Sequence, residues 1–306
     1  MRRPSCLVVA LTATALAGAL PLGAQRPAAS ADSAAPAVAF FGEVRTRSEY
    51  DRPVAPVAPD AFTYLRSRFG ARLDVTRGAR VVLQVQDSRV LGARANGAAS
   101  DVFALHQGYL ELTAPWREVA LAVRAGRQEI ALGNERLVGA VAWSNTGRTL
   151  DAARVSVVPR AATPGAEPWT VTAFAATVEE RGAPDHVAVG LFATRALSGG
   201  VALDGTLLHD AGSHYRAYDD ARRTTLDARI RAPRVLGLSA QLEGAVQLGT
   251  QRFRAPDGAA PAARAQDVRA WLLGARVGTP TSPNRRASAS AGVDILSGDA
   301  DPTDGG

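Results

Sequence analysis

Lysine is absent from the 306-residue sequence, so all 35 basic side chains are arginines. Cysteine occurs once, as Cys6, which excludes an intrachain disulfide and a metal site built from several thiolates. After residue 24, no apolar run approaches the about 20 residues that a membrane-crossing helix needs. The histidines, His106, His186, His209 and His214, lack the spacing of a zinc-protease helix. These absences exclude a disulfide-stapled domain, a helical membrane bundle and that kind of zinc site.

Catalytic motifs are also missing. The sequence contains no glycine-flanked serine of the nucleophile-elbow type. Asp299, Asp301 and Asp304 lack the glycine and terminal glutamate of a calcium-binding EF-hand, so a solvated loop is the better interpretation. We therefore expect a protein that is not an enzyme, needs no cofactor or metal, and has no nucleic-acid partner.

The N-terminus has the order of a secretory signal peptide over residues 1–24. Two arginines precede an apolar stretch over residues 7–16, and small residues follow up to Ala24, after which we expect cleavage. Residues 25–38, rich in Ala, Pro and Ser, are expected to form a disordered leader, and residues 39–306 one β-domain. An uncleaved N-terminal anchor is the alternative, although the apolar stretch is too short to span a bilayer.

Beyond the leader, apolar and polar residues alternate in segments that Gly, Pro, Asp and Asn separate. The clearest segment runs from Leu236 to Gln251, and period two means a strand with one apolar and one polar face. Phe41–Glu49, Tyr64–Val75 and Arg80–Gln86 repeat the pattern and place their charged or amide side chains on one face. About thirteen such segments lie between residues 38 and 296.

Such faces fit either a soluble β-sandwich or a membrane barrel with a wet interior. The predicted strands are longer than the five or six residues usual in soluble sheets. Export is indicated, and closed barrels span the bacterial outer membrane because lipid tolerates no unpaired sheet edge. Aromatic residues also lie near segment ends, where interface girdles are expected: Tyr64, Tyr109, Trp116, Trp143, Trp169 and Tyr215.

The sequence therefore predicts an all-β fold, a transmembrane antiparallel up-and-down β-barrel of the bacterial outer membrane. Single-chain bacterial barrels normally close with an even number of strands. An odd count that ends in the glycine-rich stretch 297–306 indicates a C-terminally truncated barrel. We expect these residues alone to form a curved, open sheet with an unpaired last strand.

Several motifs go beyond this pattern: Gln84–Val90, Leu105–Leu112, Gly126–Gly139, Gly147–Ala152, Arg223–Leu226, Gln241–Ala245 and Ser297–Asp299. Together they resemble the bacterial alginate-export family of outer-membrane porins, and the resemblance covers nearly all of the mature chain. It implies a barrel of about 18 strands, contact with membrane lipid, anionic polysaccharide or small anionic solutes as cargo, and room for periplasmic export partners.

A pore that passes an anionic polymer needs cations along its path, and arginine stays charged and pairs bidentately with carboxylates. The alternative is that inward charges pair across strands only to satisfy one another. The candidate pore-lining residues are Arg45, Arg47, Arg66, Arg68, Arg72, Arg127, Glu129, Arg148, Asp151, Arg154, Asp227, Arg229, Arg231, Gln241 and Glu243.

One irregularity lies in this set. Alternation places Arg124 inward, whereas Arg127 and Glu129 have the opposite parity. A β-bulge at Gly126, or emergence above the membrane, would reconcile them.

The function expected is passive passage of anionic polysaccharide, oligosaccharide or small anions through an arginine-rich lumen. A general outer-membrane porin of unknown substrate is one alternative, since scaffolds are reused. A secreted, soluble, β-rich carbohydrate-binding protein is another, and it would need its apolar faces to meet in a dry core.

Overall fold

The computed structural model describes residues 36–51, 60–92, 102–159, 169–178, 186–214, 218–253, 266–279 and 288–297. Within them, thirteen strands form one sheet in which each strand pairs antiparallel with its neighbours in sequence. The predicted all-β, up-and-down arrangement is thus confirmed. The expected signal peptide, its cleavage site and residues 25–35 lie outside the described ranges.

Twelve of the thirteen strands have ten or more residues, the length that crosses a bilayer in a tilted strand. The first begins at Ala37, so the last two residues of the expected leader belong to the sheet. The strands are β1 Ala37–Asp51, β2 Asp60–Thr76, β3 Ala79–Leu91, β4 Val102–Trp116, β5 Val119–Gln128, β6 Leu150–Pro159, β7 Trp169–Val178, β8 His186–Ala196, β9 Ala202–His214, β10 Tyr218–Val235, β11 Leu238–Phe253, β12 Gln266–Gly278 and β13 Ser290–Leu296.

Connections differ between the two sides of the sheet at which the strands begin and end. At one, here called the turn edge, two-residue turns join β2 to β3, β4 to β5 and β10 to β11. At the other, the loop edge, residues 129–149 join β5 to β6. Leu236 and Gly237 both have positive φ, 51° and 80°, as a tight hairpin turn requires. The strand predicted to start at Leu236 therefore starts two residues later, because the turn uses the first two.

Residues 129–149, here called the inner segment, fold back over one face of the sheet. That face is called the inner face, and the opposite one the outer face. On β2, Arg68 points inward and is 9% exposed, whereas the adjacent Phe69 points outward and is 60% exposed. Val44, Leu242 and Leu273 are likewise exposed on the outer face. The alternation predicted from sequence is present, with its apolar side facing away from the protein.

Helical structure in the described residues is limited to one 3-10 turn, Ser198–Gly200. No helix in the described part of the chain has the length and apolar character needed to cross a membrane.

The aromatic residues expected in girdles divide between the faces. Trp116 and Trp169 lie on the outer face at the turn edge. Tyr64 and Tyr109 instead lie on the inner face, and Trp143 lies in the inner segment. Tyr215 is outside the described residues. Sequence position near a segment end could not distinguish the two faces.

Charge on the outer face is concentrated near the loop edge. Among the described residues, four ion pairs lie there, each within five residues of a strand end. Three of them join an Asp to an Arg two positions along the same strand, so both side chains share a face. The pairs are Asp87–Arg89, Arg127–Asp151, Asp220–Arg222 and Asp267–Arg269.

The sheet is strongly curved, as contacts to the inner segment require. Arg45 on β1 donates to the carbonyl of Ala142, and Arg136 donates to Asp294 on β13. The six Cα–Cα steps from residue 136 to residue 142 span at most about 22 Å of extended chain. On a flat sheet, β1 and β13 would be about 58 Å apart, a gap that two arginine side chains are too short to close. Within the described residues, β1 pairs only with β2 and β13 only with β12, so the sheet is open.

Candidate functional site

The inner segment has a defined backbone of its own. The amide of Leu132 donates to the carbonyl of Val138 at 3.0 Å, and the amide of Arg148 donates to the carbonyl of Ala140 at 2.7 Å. Gly133 and Gly147 occupy the left-handed region, with φ of 62° and 71°. These bonds and turns fold the segment into a compact arm.

A small apolar cluster anchors the middle of the arm. Ile130 and Val138 are buried against Leu150 and Phe174 on the inner face of β6 and β7. The ring of Phe174 lies over Gly190 on β8, where a Cβ would overlap it. The sequence predicted a polar, arginine-rich lumen, and this apolar patch is an addition to it on which the arm packs.

An arginine cluster on β1 and β2, formed by Arg45, Arg47 and Arg66, holds one end of the arm. Arg45 donates to the carbonyls of residues 142 and 144 at 2.5 and 2.7 Å, and Arg66 donates to both at 3.1 Å. Arg47 donates to the carbonyl of Trp143. Three consecutive carbonyls of the arm therefore converge on three guanidinium groups, whose charge strengthens each hydrogen bond.

Glu129 fixes the point where the arm leaves β5. It lies 2.7 Å from the imidazole of His106 and 3.1 Å from a guanidinium nitrogen of Arg68. His106 reaches it through a register shift between β3 and β4, a bulge that turns one extra side chain inward. The hydrogen bond with His106 holds the pKa of Glu129 below its ordinary value, against the effect of burial and with help from Arg68.

The other end of the arm contacts β11 and β13. Arg136 lies 3.1 Å from Glu243 and 3.0 Å from Asp294, and Asn134 donates to Glu243 at 2.7 Å. Nearby on the same face, Asp204 pairs with Arg229 at 2.5 Å and with Arg231 at 2.9 Å. The arm thus spans the space between the first strands and the last ones.

Most of the residues predicted from sequence share this face. Glu129 and Arg148 belong to the arm, and Arg148 is exposed there. The strand residues on the inner face are Arg45, Arg47, Arg66, Arg68, Arg72, Arg154, Asp227, Arg229, Arg231, Gln241 and Glu243.

Arg127 and Asp151 are the exceptions, and their predicted inward position is corrected. They pair with each other on the outer face, 2.6 Å apart. The register between β5 and β6 runs through Gly126 without a shift, so no bulge moves Arg127 to the inner face. Glu129 turns inward because the strand has ended one residue before it.

Several contributors were missed. Asp204 and Asp210 are separated by an even number of residues and so share one face of β9, whereas Leu203 and Leu207 lie on its other face. Alternation in the sequence could have identified both aspartates as inner-face residues. Arg136 could not be found in this way, because its partner Asp294 is 158 positions away.

A family model for alginate export matches residues 38–306. Among solved structures, the chain is similar to an in-vitro folded trimer form of OmpT, an outer membrane protein of Vibrio cholerae, at 13% identity and a TM-score of 0.30. That similarity covers 86% of this chain and 99% of the other. No curated protein sequence matches. From the family match over nearly all of the described strands, the chain belongs to the alginate export family.

Proposed function

We propose that the protein is an outer-membrane channel that passes anionic polysaccharide, oligosaccharide or small anions past the arm on its inner face. The observation that carries the proposal is the inverted distribution of side chains: Phe69, Leu242 and Leu273 face outward while Arg66, Arg68 and Arg229 are buried inward. A soluble sandwich would bury those apolar faces against a second sheet. The described strands instead form one sheet.

The outer face supports contact with membrane lipid. An apolar central zone lies between Trp116 and Trp169 at the turn edge and the ion pairs at the loop edge. In outer-membrane barrels, short turns face the periplasm and longer loops the cell exterior. By this rule the arm enters the interior from the outside, and the turn edge faces any periplasmic export partner.

The arm supports selectivity for anions. Among the described residues, Arg45 has no carboxylate partner and binds only carbonyl oxygens. Arg148 projects from the arm without an ion pair in that part of the chain. A passing carboxylate can bind to guanidinium groups, which stay charged at all relevant pH values. Several groups that each bind it weakly allow passage, whereas a single tight site would retain it.

Planar-bilayer recording tests the proposal. The purified protein is expected to give discrete conductance steps and, in a salt gradient, a reversal potential that indicates anion preference. Arg148→Glu should shift that potential toward cations, whereas Arg269→Glu, an outer-face substitution, should leave it unchanged. If the protein gives no conductance and is monodisperse in detergent-free buffer, the proposal that it is a channel is wrong. Unchanged selectivity in Arg148→Glu would remove the role of the arm.

A further inference from the structure

Two arginines lie close together on the outer face at the loop edge. Arg222 is on β10 and Arg252 on β11, and Thr250 is directly opposite Arg222 in the register between the two strands. Side chains that are opposite or diagonal on adjacent strands have Cβ atoms about 4.5–8 Å apart, within reach of one another when they are long. These three residues are here called the β10–β11 site.

The β10–β11 site carries more positive charge than its neighbours compensate. Among the described residues, Arg222 pairs only with Asp220, at 3.9 Å, and the two side chains are 73% and 47% exposed. No ion pair in that part of the chain includes Arg252, and its Nε is buried without a hydrogen-bond partner there. Arg127 and Asp151, also on the outer face near the loop edge, pair at 2.6 Å. The β10–β11 site therefore has two guanidinium groups and one loosely held carboxylate.

The level of this site in the membrane follows from β11. Every second residue from Leu238 to Leu248 lies on the outer face and is apolar or glycine, and Thr250 and Arg252 come next. Such a span corresponds to about 34 Å along a strand. At a tilt of about 40° it covers about 26 Å of membrane thickness, close to the about 25 Å of the apolar band in outer-membrane barrels. The β10–β11 site therefore begins where the hydrocarbon ends, at the level of the lipid headgroups.

We propose that Arg222, Thr250 and Arg252 bind the phosphate of a glycolipid in the outer leaflet, a phosphomonoester of the lipid A class. A phosphomonoester carries about −1.5 to −2 charges at pH 7, and guanidinium groups pair bidentately with its oxygens. The acyl chains of the same molecule contact Leu226 and Leu248, which are 53% and 57% exposed on the outer face toward the turn edge. The leaflet follows from the orientation given under the proposed function, on which this inference rests.

Native mass spectrometry of the detergent-solubilised protein tests the β10–β11 site. Diphosphoryl lipid A should bind, and lipid A without its phosphates much more weakly. Arg222→Gln combined with Arg252→Gln should raise the Kd for lipid A by at least about tenfold, which corresponds to about 1.4 kcal/mol. The corresponding double lysine variant should raise it less, because lysine keeps the charge but loses the planar fork.

Arg269→Gln is the matched control. Its side chain is 80% exposed on the outer face of β12, and its neighbours are Asp267 and Leu248 rather than a second arginine. The Kd for lipid A should therefore stay at the wild-type value in this variant. A loss as large as that of the double glutamine variant would overturn the β10–β11 site.

Asp220→Asn provides a change in the opposite direction. It removes the carboxylate that competes for Arg222, so it should lower the Kd for lipid A, a gain that a damaged fold does not produce. An unchanged Kd in both Asp220→Asn and the double glutamine variant overturns the site. Equal affinity for phosphatidylglycerol, a phosphodiester, overturns the glycolipid assignment, as does displacement of lipid A by inorganic phosphate. Oligomers in the same spectra that the double glutamine variant dissociates would assign the surface to a second copy of the chain.

This readout is independent of ion conduction, so the two proposals can fail separately. Protein that conducts ions but binds lipid A equally well in the double glutamine variant fails the β10–β11 site and leaves the channel. Protein that binds lipid A through Arg222 and Arg252 but never conducts fails the channel and leaves the site.

Discussion

Asp204 is a buried carboxylate with three partners. It accepts hydrogen bonds from Arg229, Arg231 and Thr194 at distances between 2.5 and 3.1 Å. Removing one member of a buried ion pair is costly, because the remaining charge stays buried without compensation. Asp204 therefore compensates the charge of Arg229, whose side chain is buried beside it on the inner face.

We expect Asp204→Ala to lower the free energy of unfolding by about 3–5 kcal/mol. The matched control is Asp267→Ala, which breaks an outer-face ion pair whose side chains are 72% and 80% exposed and should cost less than about 1 kcal/mol. Denaturant unfolding in lipid vesicles, followed by tryptophan emission, measures both. Equal losses in the two variants would contradict the structural role of Asp204.

At the scale of elements, the arm is held by three different interactions. Carbonyls bind the arginine cluster, Ile130 and Val138 pack on Phe174, and Arg136 bridges Glu243 and Asp294. Only the middle contact is apolar, so the ends of the arm depend on charge.

Docking of the arm should weaken in acid. Because the pKa of Glu129 is lowered in the docked state, its contribution is fully present above the ordinary glutamate value of 4.5 and is lost as pH falls through the lowered pKa. Amide hydrogen exchange of residues 129–149, corrected for the intrinsic rate, should therefore accelerate in that range. Glu129→Gln should flatten this dependence. A wild-type profile that is already flat would argue against the role of Glu129.

Gly190→Ala tests the apolar anchor. Its new methyl group would overlap the ring of Phe174, and displacing that ring disturbs its packing on Ile130. Such overpacking typically lowers the free energy of unfolding by about 1–3 kcal/mol. Amide hydrogen exchange in the arm should also become faster. Gly205→Ala is the control, since the nearest atom to its Cβ is 4.0 Å away. If both variants behave alike, the anchor is not at Phe174.

Local pattern predicted the strands far better than the arm. Period two assigned Arg66, Arg68 and Arg229 to the inner face because neighbouring residues of a strand alternate by geometry alone. The arm has no such period, and its contacts join residues as far apart as Arg136 and Asp294. The inward position expected for Arg127 was wrong because it required a bulge at Gly126, whereas the regular alternation that opposes Arg127 to Arg124 continues through that residue.

The whole sheet is rolled around the arm, and this shape can be measured. Spin labels at Val44 and Val293, on the outer face of β1 and β13, should be far closer than the about 58 Å of a flat sheet. Labels at Val44 and Val155, five strands apart, should give about 24 Å and serve as control. Double electron–electron resonance in a Cys6→Ser background gives both distances. A Val44–Val293 distance near the flat value would contradict the curvature.

The outer-face ion pairs have a consequence for how the protein enters its membrane. In the proposed orientation the loop edge must travel through the hydrocarbon, where an arginine costs about 2–4 kcal/mol at the midplane. Asp87–Arg89, Asp220–Arg222 and Asp267–Arg269 each neutralise themselves within one strand. Arg127 and Asp151 belong to different strands, so β5 and β6 must already be joined as a hairpin when they cross. Translocation of this hairpin, with the arm at its tip, is then a single event.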